Sequence, residues 1–179
     1  MGKNSNFERN PRDFYPTPYE CILPLLQHLP QRGPVQKATF IEPCAGDGRL
    51  IRHLTKHGYS CAYACDIEPK ADFIQQRDVL FFEGINPGYF PSADFIITNP
   101  PWEREAMHQM ISLFRSNRPT WLLIDAGWMF TRQARPHLQF CARIVPIGRV
   151  SWMGNGTDGK EDCCWYNFID KETRTEFCP

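Results

Sequence analysis

Short continuous apolar blocks alternate along the chain with stretches whose apolar residues recur at helical spacing. Residues 38–42 read as a short apolar strand and 93–98 as a buried one, on the run Phe95-Ile96-Ile97; 121–124 is another buried strand, and 60–65, 142–147 and 163–169 are strands too. Between them, 49–57 is a helix that turns Leu50, Ile51 and Leu54 inward and is closed by Gly58, and 71–76 is a short helix. Met107, Met110, Ile111 and Phe114 fall at i, i+3, i+4 and i+7, which makes 102–115 an amphipathic helix; 132–140 is also helical. Ahead of these, Thr17-Pro18-Tyr19-Glu20 has the form of a capping box, with Thr17 as N-cap and Pro18 at the first helical position. It predicts a helix of about three turns through Leu25, Leu26 and Leu29, bent at Pro24 and ended by Gln31-Arg32-Gly33-Pro34. Residues 1–14 are polar and read as a flexible arm. Strands alternating with helices predict an α/β domain whose mostly parallel sheet is covered on both faces.

Composition narrows this to one soluble domain. The chain has 179 residues, 42% of them hydrophobic, which suits a single core and leaves no room for two ordinary ones. No apolar run approaches the length of a membrane span, and the polar start is no secretory signal. Eight cysteines without a CxxC pair suggest reduced, mostly buried thiols in a cytoplasm and no metal site. Lys+Arg and Asp+Glu are 20 each, so the net charge is zero. The average conceals an asymmetry: residues 126–157 contain no acidic residue but carry Arg132, Arg135, Arg143 and Arg149. A solvated face would account for such a run, and so would contact with phosphates.

Two segments carry candidate chemistry. The first, Phe40-Ile41-Glu42-Pro43-Cys44-Ala45-Gly46-Asp47-Gly48-Arg49, runs from a strand through glycines into a helix, the place where open α/β sheets bind ligands. A dinucleotide fingerprint requires a third glycine where Ile51 stands, and a P-loop requires Gly-Lys-Ser/Thr, so both fail. What remains is a Gly-x-Gly turn with Asp66 at the end of the next strand, able to accept both hydroxyls of a ribose. Glu42, or a carboxylate beside it, can answer a sulfonium or ammonium on the same ligand. An ordinary tight turn with a solvated Asp66 is the plainer alternative.

In the second segment, Asn99-Pro100-Pro101-Trp102, two prolines remove backbone donors and fix an extended turn after a buried strand. Such a turn offers the Asn99 side chain and the Pro100 carbonyl as fixed acceptors beside an aromatic face. An exocyclic amino group on a planar base matches them, its two N–H groups held while the ring stacks on Trp102.

Together these segments resemble the S-adenosylmethionine-dependent amino-methyltransferases, most closely the DNA N6-adenine methyltransferases, including the compact Dam-like enzymes of phages and prophages. The resemblance covers nearly the whole chain: Asp13-Phe14-Tyr15-Pro16-Thr17-Pro18 is similar to the family's amino-terminal cofactor motif, Glu42 to Gly48 to its glycine motif, and Asn99 to Trp102 to its catalytic motif. The last motif usually ends in Tyr or Phe, and Trp102 keeps the stacking. The resemblance implies a single-domain class I methyltransferase, a Rossmann-like α/β fold with a seven-stranded, mostly parallel sheet, occupying 15–179. It implies S-adenosylmethionine as cofactor. Phe14, Tyr15 and Thr17 would cover its methionine end, and Glu42, Pro43, Ala45, Gly46 and Gly48 would line its floor. Asp66 with Ile67 would hold the ribose and Asp78 with Val79 the adenine, while Asn99 would border both cofactor and target. Catalysis would fall to Asn99, Pro100, Pro101 and Trp102.

A base inside a duplex must be flipped to reach such a site, and Trp128 and Trp152 are candidates for its second wall. Sequence-specific members carry a recognition domain, for which the 77 residues after Trp102 leave little beyond 148–162. The implied activity is therefore N6-adenine methylation of DNA, with specificity weak or supplied by a partner or a homodimer. Arg132 and Arg135 are the candidate nucleic-acid contacts. RNA adenine, a protein glutamine amide, and a catalytically inert methyltransferase-like subunit are the alternatives. The implied setting is a bacterial or phage-infected cytoplasm.

Overall fold

Phe95–Thr98 is buried at all four positions, as a strand flanked on both sides and covered on both faces must be. It is one of eight strands in the computed structural model, which describes residues 14–33, 37–81, 90–152, 159 and 161–179. In chain order these are β1 (Thr39–Glu42), β2 (Ser60–Asp66), β3 (Gln75–Gln76), β4 (Phe95–Thr98), β5 (Thr120–Asp125), β6 (Cys141–Arg149), β7 (Asp162–Phe168) and β8 (Glu176–Phe177). They form one sheet in the order β3-β2-β1-β4-β5-β7-β6-β8. Only β7 runs against its neighbours; β5 and β6 both pair with it antiparallel. The count is eight against the seven expected: six strands of four or more residues match the six segments read from the sequence, and β3 and β8 are two-residue strands at the two edges.

Side chains alternate across the sheet into two cores. Phe95 and Ile97 of β4, Trp121 and Leu123 of β5, and Trp165 of β7 enter one, while Ile96, Leu122, Ile124, Tyr166 and Phe168 enter the other. The first is closed by α1 (Arg49–Lys56) and by the segment around Cys21, Leu25 and Leu29; the second by α2 (Arg104–Asn117) and the stretch that follows β5. The Trp165 indole N–H donates to the Cys21 carbonyl at 2.7 Å, tying the chain's amino-terminal layer to the middle of the sheet. All eight cysteines are free thiols; burial pushes those of Cys21, Cys65 and Cys141 up to about 12. No helix among the described residues is long and apolar enough to cross a membrane.

Three expected helices take other forms. Tyr19–Ile22 is a single 3-10 turn followed by further turns, and its N-cap is Pro18, without a side-chain cap bond, where Thr17 was expected. Pro24 has no N–H to donate to the Glu20 carbonyl, which stops an α-helix at its second turn. Residues 71–76 do not form a helix, because their neighbourhood has partners in the sheet: Arg77 N donates to the Asp66 carbonyl at 2.7 Å and Gln75–Gln76 pairs with Cys65 and Asp66. The 132–140 helix is split into a 3-10 turn, Arg132–Ala134, and α3 (Arg135–Leu138), with Pro136 in the first turn of the latter, the helical position that tolerates it. α2 begins at Arg104, two residues later than its apolar pattern suggests, since the Glu103 carboxylate caps it by accepting from Glu105 N and Ala106 N. A 3-10 segment, Ala126–Phe130, was not anticipated. The arm expected at 1–14 lies, but for Phe14, outside the described residues, as do 153–158 and 160 of the 148–162 stretch.

Candidate active site

Because β1, β2, β4 and β5 are parallel, their carboxyl ends share one edge, where the glycine turn and the Asn-Pro-Pro-Trp segment meet. Gly46 and Gly48 both take positive φ, 52° and 76°. The turn is tied to β2 on both sides: Ala45 N donates to the Cys65 carbonyl at 2.9 Å and Gly46 N to Asp66 Oδ2 at 2.7 Å, while Glu68 N donates to Asp66 Oδ1 at 2.8 Å. Asp66 thus shapes the turn as well as facing the cleft, and each of its oxygens retains acceptor capacity. The Phe14 ring lies against Gly46, where a Cβ would come within 2.8 Å of it, and Lys70 Nζ stands 5.5 Å from the same ring. Gly46→Ala is expected to lower the unfolding free energy by about 1–2 kcal/mol through left-handed strain alone, read by urea denaturation. Displacement of Phe14 adds to that loss.

Glu42 ends β1 beneath this turn, 2% exposed, and its Oε2 has no hydrogen-bond partner among the described residues. Desolvation raises its carboxyl pKa well above the usual 4.5, with Asp66 and Asp47 adding to the effect. A buried carboxyl with one oxygen unpartnered, at the floor of a cleft, is the natural counterpart of a ligand bearing positive charge.

Asn99 follows β4, and its Nδ2 donates to the Tyr15 carbonyl at 3.0 Å. That bond fixes the amide's orientation, since Oδ1 cannot face a carbonyl. Oδ1 is left without a donor among the described residues. The Trp102 indole N–H donates to the Leu123 carbonyl at 3.0 Å. Its ring meets Trp152 edge-on at 5.7 Å, and Trp152 lies 6.1 Å from Tyr15. Trp128, the other candidate wall, is instead 3% exposed in the second core, with its indole N–H on His108 Nε2 at 3.0 Å.

A cavity of about 730 Å³ joins the glycine turn, Glu42, Asp66, Tyr15 and Asn99. Of the residues expected from sequence to bind cofactor, Phe14, Tyr15, Thr17, Glu42, Pro43, Ala45, Gly46, Asp66, Ile67, Asp78, Val79 and Asn99 line it, as does Pro101 of the catalytic set. Gly48, Pro100 and Trp102 do not. Gly48 is the left-handed N-cap of α1, and a Cβ there would strike Phe73 at 2.4 Å, so its part is in the turn. Arg132 and Arg135 lie away from the cavity, on the segment after β5. Sequence reasoning missed Cys44, Lys70, Glu103, Ala106 and Met110 as wall residues. Met110 carried a signal, its place in the apolar stripe of α2, but that stripe reads equally as core. The wall bears six carboxylates (Glu42, Asp47, Asp66, Glu68, Asp78 and Glu103) against Arg49, Lys70 and Arg77, an excess that favours a cationic ligand.

No family model and no curated protein matches the sequence. Solved structures do match. A candidate RNA methyltransferase from Pyrococcus horikoshii superposes with a TM-score of 0.57 at 12% identity over 93% of each chain. The methyltransferase subunit of a type I restriction-modification system from Streptococcus thermophilus gives 0.60 at 10% identity, over 91% of this chain and 47% of its own. A TehB-like S-adenosylmethionine-dependent methyltransferase from Corynebacterium glutamicum gives 0.51 at 15%, over 86% and 88%. The chain has the fold of the class I S-adenosylmethionine-dependent methyltransferases.

Proposed function

We propose that the protein is a methyltransferase that moves a methyl group from S-adenosylmethionine to the N6 amino group of adenine in DNA. The observation that carries this reading is the junction of two sites on one cavity: the glycine turn with Glu42 and Asp66, and Asn99 with its amide fixed by the Tyr15 carbonyl. The residues present fit the cofactor. The unpartnered Glu42 Oε2 suits its positive end, Asp66 the ribose and Asp78 with Val79 the adenine. When bound, S-adenosylmethionine supplies an electrophilic methyl group on a positively charged sulfur.

The remaining work belongs to the chain. An aromatic amine's lone pair is delocalised into its ring, so it attacks poorly. Asn99 Oδ1 and the Pro100 carbonyl accept the amine's two N–H groups and favour a more tetrahedral nitrogen whose lone pair points at the methyl. Trp102 stacks on the base; its indole bond to Leu123 fixes this wall, and Trp152, packed edge-on against it, backs it. No strong base is required; positioning and electrostatics supply the acceleration. Specificity is weak or comes from a partner or a second copy.

The test is transfer of labelled methyl from the cofactor to DNA, RNA and protein pools, with nucleoside analysis of the product. N6-methyladenine in DNA is the expected result. Label confined to RNA or to glutamine moves the substrate, and calorimetric cofactor binding without transfer to any pool makes the chain an inert subunit.

A further inference from the structure

The segment after β5 leaves the sheet at the same edge as Asn99, since β4 and β5 are parallel. It is held firmly. Gly127 N donates to Asp125 Oδ1 at 2.8 Å, and the Tyr166 hydroxyl donates to the Asp125 and Ala126 carbonyls at 3.4 and 3.3 Å. Trp128 is sunk into the core on His108 of α2, a helix that starts directly after the Trp102-Glu103 pair. The bond requires a neutral imidazole, and burial lowers the His108 pKa; His137, stacked on it at 4.6 Å, is lowered to about 4 by burial and by His108. Downstream, Thr131 N and Oγ1 donate to the Trp128 carbonyl at 3.0 and 2.8 Å, its Oγ1 accepts from Ala134 N at 3.3 Å, and Ala134 is fully buried.

Between these anchors Phe130 is 84% exposed. A ring on a frayed loop could be exposed by chance; this one is presented to solvent by a segment fixed on either side. Arg132 and Arg135, two and five residues on, are exposed, and neither has an ion-pair partner among the described residues. Arg143 and Arg149, from the same acid-free stretch, are answered by Glu176 and Asp162. A rigidly presented aromatic ring next to two unanswered guanidinium groups suits a polyanion whose interior is apolar and stacked.

We propose that Phe130 is a wedge that enters a DNA duplex beside the extruded adenine, with Arg132 and Arg135 holding the flanking phosphates; this rests on the nucleic-acid reading above. Removing a base from the stack leaves a gap and two unstacked neighbours, and an inserted ring replaces the lost stacking.

The experiment compares adenine-containing oligonucleotides of one sequence, duplex and single-stranded, as substrates of wild type, F130A and F130L. S-adenosylmethionine affinity serves as the check that each variant is folded. F130A is expected to lower the ratio of duplex to single-strand kcat/KM by about tenfold or more, with F130L restoring most of it. Reversing Arg132 and Arg135 to glutamate is expected to reduce the salt slope of duplex binding by about two. An unchanged ratio in F130A overturns the wedge and leaves methyl transfer standing, and the exposed ring then belongs to another partner, such as a protein. An unchanged salt slope overturns the phosphate contacts. Wild-type transfer to RNA or protein with none to either DNA form overturns the proposed function and the wedge together.

Discussion

Replacing Asn99 by alanine is expected to lower the rate of methyl transfer by about two to three orders of magnitude, the usual cost of removing one preorganised polar group from the reacting atoms. Single-turnover measurement with saturating cofactor gives the chemical step directly. The variant removes the Oδ1 acceptor and also the bond to the Tyr15 carbonyl. Asn99→Asp separates the two, because a carboxylate keeps the acceptor but cannot donate to a carbonyl. If Tyr15 matters only as a spacer, N99D retains most of the rate. A fall comparable to that of N99A shows that orientation of the amide is itself needed. Cofactor affinity, measured by calorimetry, should survive in N99A, since Glu42, Asp66 and Asp78 remain on the cavity wall. Undiminished turnover in N99A removes this residue from the mechanism.

Glu42→Gln is expected to weaken S-adenosylmethionine binding by about ten- to a hundredfold, the worth of a charge-assisted contact. The same change is expected to stabilise the ligand-free protein, with a definite pH dependence. The carboxyl's pKa in the folded chain is raised above its ordinary 4.5. Its contribution to stability is therefore complete below 4.5 and is lost as pH rises through the raised value. Glutamine has no proton to lose, so the difference in Tm between E42Q and wild type should be small near pH 4.5 and widen as pH rises. A bound cation favours the ionised carboxyl, so wild-type binding should release protons and tighten with pH, and binding to E42Q should not. Calorimetry in buffers of different ionisation heat reads the proton release. Equal affinity in the two proteins would place Glu42 outside the site, and a constant Tm gap would show that its burial has no titration attached.

What could be read from the sequence divides along the range of the forces involved. β4 and its turn were legible because both signals are local: a continuous apolar run, then two prolines that force the chain out of the strand. α1 was legible for the same reason, from Leu50, Ile51 and Leu54 and the glycine at 58. The capping pattern at Thr17 misled because Pro24, seven residues on, outweighs a favourable start. Residues 71–76 misled because their backbone partners, Cys65 and Asp66, lie in another element and leave no mark on the local pattern. In the site, Glu42, Gly46, Asp66 and Asn99 were named because each sits at a strand end or a glycine turn. The walls supplied by Lys70, Glu103 and Ala106 depend on how helices and loops pack over that edge, and the Tyr15 carbonyl belongs to a backbone, which no side-chain motif records. The packing of Trp152 against Trp102 and the burial of Trp128 likewise arise from contacts between distant elements.

The placement of β7 bears on how the chain is made. It follows β5 and β6 along the chain, yet it lies between them in the sheet, so both are synthesised before it. Until residue 168 has emerged, those two strands stand as open edges facing a vacant slot, each with a row of unpaired amides and carbonyls. The Cys21 carbonyl likewise waits for Trp165, 144 residues further along. Domain closure is thus deferred almost to residue 168, so a stalled or truncated product presents two sticky edges to its neighbours.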